Sequence, residues 1–156
     1  MNDADYMRLA IAAAVQGVEE GQTPFGACIV RDGEVLSCSH NQVWDRVDIT
    51  AHAEILAIRE ACRKIGSVDL SGSVIYSSCE PCPMCFSACH WARVRKIFFG
   101  AGIEDARRIG FNEITFSNHM MKEQGGSPLE VEGGFLKEEA QAVFRLWLEK
   151  KSCPVY

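Results

Sequence analysis

Two short segments of this sequence combine residue types that bind metal and move protons. One is His52-Ala53-Glu54 and the other is Pro81-Cys82-Pro83-Met84-Cys85. Cysteines three residues apart on a first helical turn project the same way, so both sulfurs can reach one ion. A helix N-terminus also favours thiolate over thiol, and metal binding requires thiolate. With a third ligand from the neighbouring segment, the pattern predicts a zinc ion held by His52, Cys82 and Cys85.

A site with three protein ligands leaves one tetrahedral position of zinc for water, which is the arrangement of a catalytic site. Zinc lowers the pKa of bound water from ~15.7 to about 7, so hydroxide forms near neutral pH. Glu54 lies two residues after His52 and can face that position without binding the metal. It can take a proton from the water, pass it to a ring nitrogen and later deliver one to a departing amine. The pattern therefore predicts hydrolytic removal of an amino group.

The same residues also have simpler interpretations. Cys82 and Cys85 alone match a thioredoxin-like redox pair or two packed cysteines. Cys79 or His90 can complete a four-ligand structural zinc site, which is typical of a binding module that does not need Glu54. The joint pattern of His-x-Glu followed by Pro-Cys-x-x-Cys is the signature of zinc nucleobase deaminases and favours the catalytic interpretation.

The elements that must position these segments follow from periodicity and turn signals. Helices are predicted over residues 7–20, 51–65, 81–93, 103–109 and 138–150. Strands are predicted over residues 25–30, 34–39, 72–77, 96–101 and 129–132, with a hairpin turn at Asp32-Gly33 and a loop over 124–128. Residues 110–134 give the weakest indication of secondary structure. Strands that alternate with helices predict a layered α/β domain whose hairpin forms an antiparallel edge of a partly parallel sheet.

Composition and charge narrow the class of protein. The chain has 156 residues, of which 47% are hydrophobic and 24% charged, as in one globular domain over residues 1–156. A domain of this size can bury a core without a metal, so its metal site is expected to do chemistry. The absence of a secretory signal or membrane-length apolar run predicts a cytoplasmic protein with no membrane partner. In that compartment its eight cysteines are expected to bind metal or pack.

The motifs resemble the cytidine deaminase-like superfamily and, more narrowly, its small bacterial guanine deaminases. The broad resemblance runs from Pro24-Phe25-Gly26-Ala27 to Phe98-Phe99-Gly100-Ala101. The narrower resemblance rests on Ser78-Cys79-Glu80-Pro81-Cys82-Pro83-Met84-Cys85, His90-Trp91-Ala92-Arg93, Gly110-Phe111 and the final Tyr156. It implies a three-layer α/β/α fold with a central mixed sheet of about five strands. It also implies one zinc ion per subunit and the hydrolysis of guanine to xanthine and ammonia.

The resemblance also implies roles for individual residues. His52, Cys82 and Cys85 would hold zinc, and Glu54 would be the proton shuttle. The substrate-binding residues implied are Phe25 and Trp91 as aromatic walls, Asn41 on the purine edge, Ala53, and Tyr156. Glu113 falls where these enzymes carry a second acidic residue, often Asp, so its longer side chain departs from the family pattern.

Each substrate assignment has an ordinary structural alternative. Phe25 and Trp91 suit core positions, and Asn41 suits a turn after the hairpin. Glu113 suits a solvated surface, and Tyr156 suits a frayed terminus.

Other substrates and partners also have to be considered. One alternative is a tRNA adenosine deaminase, which shares the zinc motif. Another is a deaminase of a related nucleoside or an aminotriazine, which uses the same chemistry. Binding of tRNA would require basic residues on the phosphates, and the available cluster is Arg93, Arg95, Lys96, Arg107 and Arg108. The net charge of −5 argues against nucleic acid as a partner, and the resemblance implies a small purine substrate. The resemblance further implies a homodimer that exchanges a C-terminal segment, about 136–156, so that Tyr156 reaches a partner's pocket.

Overall fold

The computed structural model describes residues 1–150 and 153–156, which form helices, strands and their connections. The helices are α1 (Asp3–Glu19), α2 (Val43–Arg46), α3 (Ala53–Ile65), α4 (Pro83–Trp91), α5 (Ile103–Arg108), α6 (Asn118–Gly125) and α7 (Lys137–Lys150). The strands are β1 (Gly26–Arg31), β2 (Glu34–His40), β3 (Val74–Cys79), β4 (Lys96–Ala101) and β5 (Glu130–Gly133). Within the described residues, no helix has the length and apolar character needed to cross a membrane.

The strands form one mixed sheet in the order β2-β1-β3-β4-β5. Strand β1 pairs antiparallel with β2 and β3, whereas β3, β4 and β5 pair in parallel. The β1–β2 hairpin turns at Asp32 and Gly33, whose φ angles of 52° and 79° match the left-handed conformation of a type I′ turn. The predicted mixed sheet with an antiparallel edge hairpin is therefore confirmed.

Helices cover both faces of this sheet. On one face, Ala27 and Ile29 of β1 belong to a core with residues of α3 and α4. On the other face, Cys28 and Val30 pack with residues of α1, and α7 joins α1 over the same face. Because successive side chains of a strand point to opposite faces, β1 contributes to both cores. The three-layer α/β/α architecture is confirmed.

The helices that carry the two motifs begin later than predicted. Helix α3 begins at Ala53, with His52 as its N-cap residue, and α4 begins at Pro83, with Cys82 as its N-cap residue. Pro83 occupies the first helical position, where the missing N–H costs no hydrogen bond. The prediction that Pro81 opens this helix is wrong, and Pro81 lies in the preceding loop.

Residues 110–134 contain a helix that the sequence patterns do not predict. Helix α6 begins after Ser117, whose hydroxyl accepts a hydrogen bond from the Met120 amide at 3.2 Å. It ends at Gly125, before Gly126 in the left-handed conformation, so the expected loop over 124–128 overlaps its last turn. Asn118 is its one fully buried residue, which explains why apolar periodicity does not reveal it.

Gly26 lies where β1 passes closest to α1. A Cβ atom at this position would clash with the Ala10 carbonyl oxygen and the Ala14 amide nitrogen, which are backbone atoms that cannot rotate away. We expect Gly26→Ala to lower the free energy of unfolding by about 1–3 kcal/mol through overpacking. Gly125→Ala is the matched control, because nothing lies within 4 Å of a Cβ atom there. Denaturant unfolding measures both variants, and equal stability would contradict this packing.

Candidate active site

Three metal-binding side chains meet where α3 and α4 begin. His52 Nδ1 lies 3.7 Å from Cys82 Sγ and 3.6 Å from Cys85 Sγ, and the three ligand atoms all lie within 4.8 Å of one another. Tetrahedral zinc, with Zn–S of about 2.3 Å and Zn–N of about 2.0–2.1 Å, places nitrogen and sulfur about 3.6 Å apart. The donor types and their spacing therefore fit zinc, which His52, Cys82 and Cys85 can hold.

The thiol chemistry of this cluster favours metal binding. The hydrogen bond from the Cys85 thiol, and then the hydrogen bond with the His52 ring, lower the pKa of Cys82 to about 4. Cys82 is also the N-cap residue of α4, where the positive end of the helix stabilises negative charge. A thiolate ligand is therefore available at neutral pH.

Glu54 lies beside the zinc ligands and is only 6% exposed. Its Oε1 accepts a hydrogen bond from Ser77 Oγ at 2.9 Å, and its Oε2 lies 3.4 Å from Cys85 Sγ. Burial raises the pKa of Glu54 above its ordinary value. A carboxyl group with a raised pKa exchanges protons more readily near neutral pH. Glu54 is thus held close to the metal position by Ser77, where it can act on a water molecule and a bound substrate.

A small pocket opens directly onto these residues. The space between its walls, part of which is open to solvent, amounts to ≈ 330 Å³. Its walls are formed by Phe25, Asn41, His52, Glu54, Cys79, Glu80, Cys82, Glu113 and Tyr156. Burial, and then the negative charge of Cys82, raise the pKa of Glu113 to about 7. The structure therefore brings Phe25, Asn41, Glu113 and Tyr156 together with the zinc ligands, and Ala53 is fully buried between His52 and Glu54.

The C-terminal residues lie against the pocket of their own chain. The Asn41 amide donates a hydrogen bond to the Tyr156 hydroxyl at 2.6 Å. The Asn112 amide donates to the Tyr156 main-chain oxygen at 3.0 Å, and Trp44 Nε1 donates to the Pro154 carbonyl at 3.0 Å. Tyr156 is therefore anchored at both ends, over the zinc ligands and beside Asn41. The exchanged segment expected over 136–156 includes residues 151–152, which lie outside the described residues.

Trp91 is placed differently from its expected position. It is 82% exposed and lines a surface groove with His90, Arg93 and Pro128. Helix α4 begins at the zinc site, and a rise of about 1.5 Å per residue puts its last residue about 13 Å away along the axis. Within a single chain, Trp91 does not line the pocket beside the zinc ligands, and its role as a wall of the substrate site stays a prediction.

The cysteine and histidine considered as fourth ligands point elsewhere. Cys79 Sγ lies 3.7 Å from the Gly102 carbonyl oxygen, and His90 Nδ1 lies 2.8 Å from Ser127 Oγ. Among residues 1–150 and 153–156, the group that can hold a metal contains only three side chains. This ligand number matches a catalytic site with an open position and not a closed structural one.

Sequence patterns do not identify several residues that support the site. His40 has Nε2 3.0 Å from Glu20 Oε2 and Nδ1 2.9 Å from the Asn41 carbonyl oxygen, which fixes the backbone that presents Asn41. Glu80 accepts a hydrogen bond from the Asn118 amide at 2.9 Å, which ties α6 to the loop before Cys82. The contacts of His40 with Glu20 and of Glu80 with Asn118 join residues far apart in sequence, so no local spacing reveals them. For Glu80, the one indication in the sequence is its position two residues before Cys82.

Comparisons with known proteins agree with this geometry. Residues 1–101 match the family model of the cytidine and deoxycytidylate deaminase zinc-binding region. A guanine deaminase of Bacillus subtilis (strain 168) is 43% identical over 114 residues, which cover 72% of this chain and 73% of the relative. A tRNA-specific adenosine deaminase of the same organism is 37% identical over 153 residues, which cover 96% of this chain and 92% of the relative.

A solved structure of the guanine deaminase from Nitrosomonas europaea has a TM-score of 0.85 and 27% identity to this chain, covering 97% of it and 86% of that structure. The shared fold adds to a family match that includes both zinc-binding segments. The chain belongs to the cytidine and deoxycytidylate deaminase family, whose members are zinc-dependent hydrolytic deaminases.

Proposed function

We propose that this protein deaminates a free purine base, with guanine as its substrate. In the reaction, guanine and water give xanthine and ammonia. The observation that carries this proposal is the anchored C-terminal tyrosine. Tyr156 lines the pocket beside the zinc ligands and its hydroxyl accepts a hydrogen bond from Asn41 at 2.6 Å, so its side chain forms one wall of the substrate space. The Bacillus subtilis guanine deaminase, at 43% identity, supports the same substrate.

The pocket residues supply the chemistry that this reaction needs. Zinc held by His52, Cys82 and Cys85 would supply Lewis-acid activation of a water molecule. Glu54 takes a proton from water in the pocket, transfers it to a ring nitrogen of the base and returns a proton to the departing amine. Asn41 binds the purine edge and Phe25 packs against the ring. Glu113 provides a second acidic group near the substrate.

The surface charges argue against a polynucleotide substrate. Phosphate binding requires basic side chains that are free to face the phosphates. The basic cluster is instead paired with carboxylates at 2.7–3.7 Å, in the pairs Arg93–Asp69, Arg95–Glu130, Lys96–Glu132, Arg107–Glu104 and Arg108–Asp105. These pairs reduce the positive charge that the cluster can present to phosphates.

Deamination of adenosine in tRNA is the second candidate. The observation that favours it is the 37% identity to the Bacillus subtilis tRNA-specific adenosine deaminase, which spans 96% of this chain. A tRNA substrate needs its base splayed out into the pocket, and the ribose and phosphates attached to that base have to pass Tyr156.

Ammonia release identifies the substrate class. Zinc-loaded protein is assayed with guanine, guanosine, adenine, cytosine, cytidine and an aminotriazine, with Glu54→Gln as the inactive control. We expect turnover of guanine that is lost in the control, with xanthine identified as the product. Turnover of another ring in preference to guanine would contradict the proposed substrate while leaving the deaminase chemistry intact.

Removal of the Tyr156 hydroxyl tests its proposed place in the substrate pocket. The hydrogen bond between this hydroxyl and Asn41 keeps the amide oriented towards the base. Since one such bond contributes about 0.5–1.5 kcal/mol, we expect Tyr156→Phe to raise KM for guanine about 2- to 12-fold. Tyr6→Phe is the matched control, because its hydroxyl bonds to Gly33 on a different part of the sheet. An unchanged KM in Tyr156→Phe would remove Tyr156 from the substrate site.

We further propose a homodimer with one zinc ion per subunit. Exposed apolar side chains lie around the pocket mouth and along α4, namely Ile49, Met84, Trp91 and Ile114. Burial of such side chains between subunits would be favourable. A molecular mass measured in solution over a range of concentrations tests the dimer, and a strictly monomeric protein would contradict it and any exchange of the C-terminal segment.

A further inference from the structure

Two cysteines outside the zinc site face each other across the edge of the sheet. Cys28 of β1 and Cys38 of β2 are direct partners in the antiparallel register. Directly opposed residues in such a ladder have Cα atoms about 4.5–5.5 Å apart, within the range of about 4.4–6.8 Å found in disulfides. Each thiol is also close enough to shift the pKa of the other. A covalent bond between their sulfurs therefore needs little movement of the backbone.

The two thiols differ in their access to solvent. Cys28 is fully buried in the core beneath α1, among residues such as Tyr6 and Tyr76. Cys38 is exposed on the edge strand of the sheet, where it lines a shallow groove with Gln16. A small oxidant from solvent therefore reaches Cys38 first, and Cys28 is the neighbouring thiol that can react next.

The acid–base properties of the pair agree with this order. The hydrogen bond from Cys28 lowers the pKa of the Cys38 thiol below its ordinary value. The same hydrogen bond, and then burial, raise the pKa of Cys28. The exposed member is thus the better source of thiolate, which is the form that reacts with oxidants.

We propose that Cys28 and Cys38 are a reversible oxidation site that forms a cross-strand disulfide in response to a hydroperoxide. The Cys38 thiolate attacks one oxygen of the peroxide, which breaks the O–O bond, forms a sulfenic acid and releases water after protonation. The Cys28 sulfur then attacks the Cys38 sulfur, the S–S bond forms and the hydroxyl group leaves as a second water. In sum, two thiols and one hydrogen peroxide give one disulfide and two waters.

The other cysteines lack this arrangement. Cys82 and Cys85 belong to the zinc site, and Cys79 and Cys89 are buried. In the strand pairs of the described residues, Cys28 and Cys38 are the one pair of cysteines in direct register. Disulfide formation across the sheet is therefore expected at this pair, while zinc protects its own ligands.

Peptide mapping of the zinc-loaded, full-length protein tests the proposal. The protein is treated with hydrogen peroxide, free thiols are alkylated, and the sample is cleaved with trypsin without reduction. Tryptic peptides 9–31 and 32–46 each contain one cysteine, Cys28 and Cys38 respectively. We expect these two peptides to be joined, with the loss of two hydrogens, and to separate after treatment with a thiol reductant.

Variants distinguish a disulfide from simple oxidation of an exposed thiol. In Cys28→Ser, we expect Cys38 to accumulate as a sulfenic acid that a dimedone probe labels. In Cys38→Ser, we expect Cys28 to remain reduced, whereas Cys62→Ser is the control that still gives the linked peptides. The proposal is overturned if wild-type protein gives no linked peptides while Cys38 is labelled in Cys28→Ser. It is equally overturned if peroxide oxidises Cys38 in neither protein.

Discussion

Replacement of Glu54 by glutamine is expected to lower kcat for deamination by about 10²–10⁴-fold, the usual contribution of a general acid–base group. Glutamine keeps the size of the side chain and can still hydrogen bond with Ser77, but it cannot accept and return a proton. Zinc content is expected to remain unchanged, because Glu54 is not one of the three ligands. Steady-state ammonia release and metal analysis on the same preparation measure both effects.

The matched control for this variant is Glu123→Gln. Glu123 is exposed on α6, so loss of its charge should leave kcat unchanged. If Glu54→Gln kept full activity, the proton transfers would have to pass through another group and the assignment of Glu54 would be wrong. If Glu54→Gln instead lost its zinc, the carboxylate would be supporting the metal and not the proton transfers.

Removal of zinc is expected to lower activity at least about 100-fold, because a catalytic metal contributes several kcal/mol to the transition state. The fold is expected to survive, since the cores on both faces of the sheet consist mainly of apolar side chains that do not bind the metal and a domain of this size does not need a metal to fold. Treatment with a strong chelator, followed by activity and circular dichroism measurements, separates the two effects. Activity should return when zinc is added back.

The Cys82→Ser variant tests the same prediction by removing a zinc ligand instead of the zinc itself. Loss of one thiolate from a three-ligand site should leave the protein without stoichiometric zinc and without activity. Cys62→Ser is the control, because Cys62 packs against the core of α3 and contacts no zinc ligand in the structure. Unfolding of the domain on chelation would contradict a catalytic role and would show that the metal is structural.

The metal site is the part of this molecule that local sequence predicts best. His52 and Cys82 are N-cap residues, and Cys85 lies on the first turn of α4, so their directions depend on short stretches of regular backbone. The order of strands and helices follows from alternation and turn residues in the same way. The hairpin at Asp32 and Gly33 is an example, since its left-handed conformations are favoured by these residue types.

Features that depend on distant contacts are not predictable from such patterns. The surroundings of Trp91 depend on the direction in which α4 runs after the zinc site, and the exposed position of Trp91 follows from that direction. Helix α6 is held by Asn118, whose side chain donates to the Pro81 carbonyl at 2.6 Å, a contact across 37 residues of sequence. Neither apolar spacing nor capping signals specify such a contact.

The residues of the substrate pocket are predictable in part, through the family resemblance and not through local patterns. Asn41 and Tyr156 are 115 residues apart, and only the resemblance to a family links them. The structure places both beside the zinc ligands, together with Phe25 and Glu113. Spacing alone therefore predicts the reaction, whereas the shape of the substrate pocket comes from the folded chain.

The most direct test of the proposed substrate compares free guanine with a tRNA stem-loop that carries an unpaired adenosine in its loop. Both are assayed with the same zinc-loaded preparation, at several salt concentrations. We predict that kcat/KM for guanine exceeds that for the stem-loop at least about 100-fold, since a pocket that hydrogen bonds one ring discriminates strongly against others. Turnover of the stem-loop without turnover of guanine, at a rate that falls as salt rises, would contradict the proposal and identify an RNA-editing enzyme.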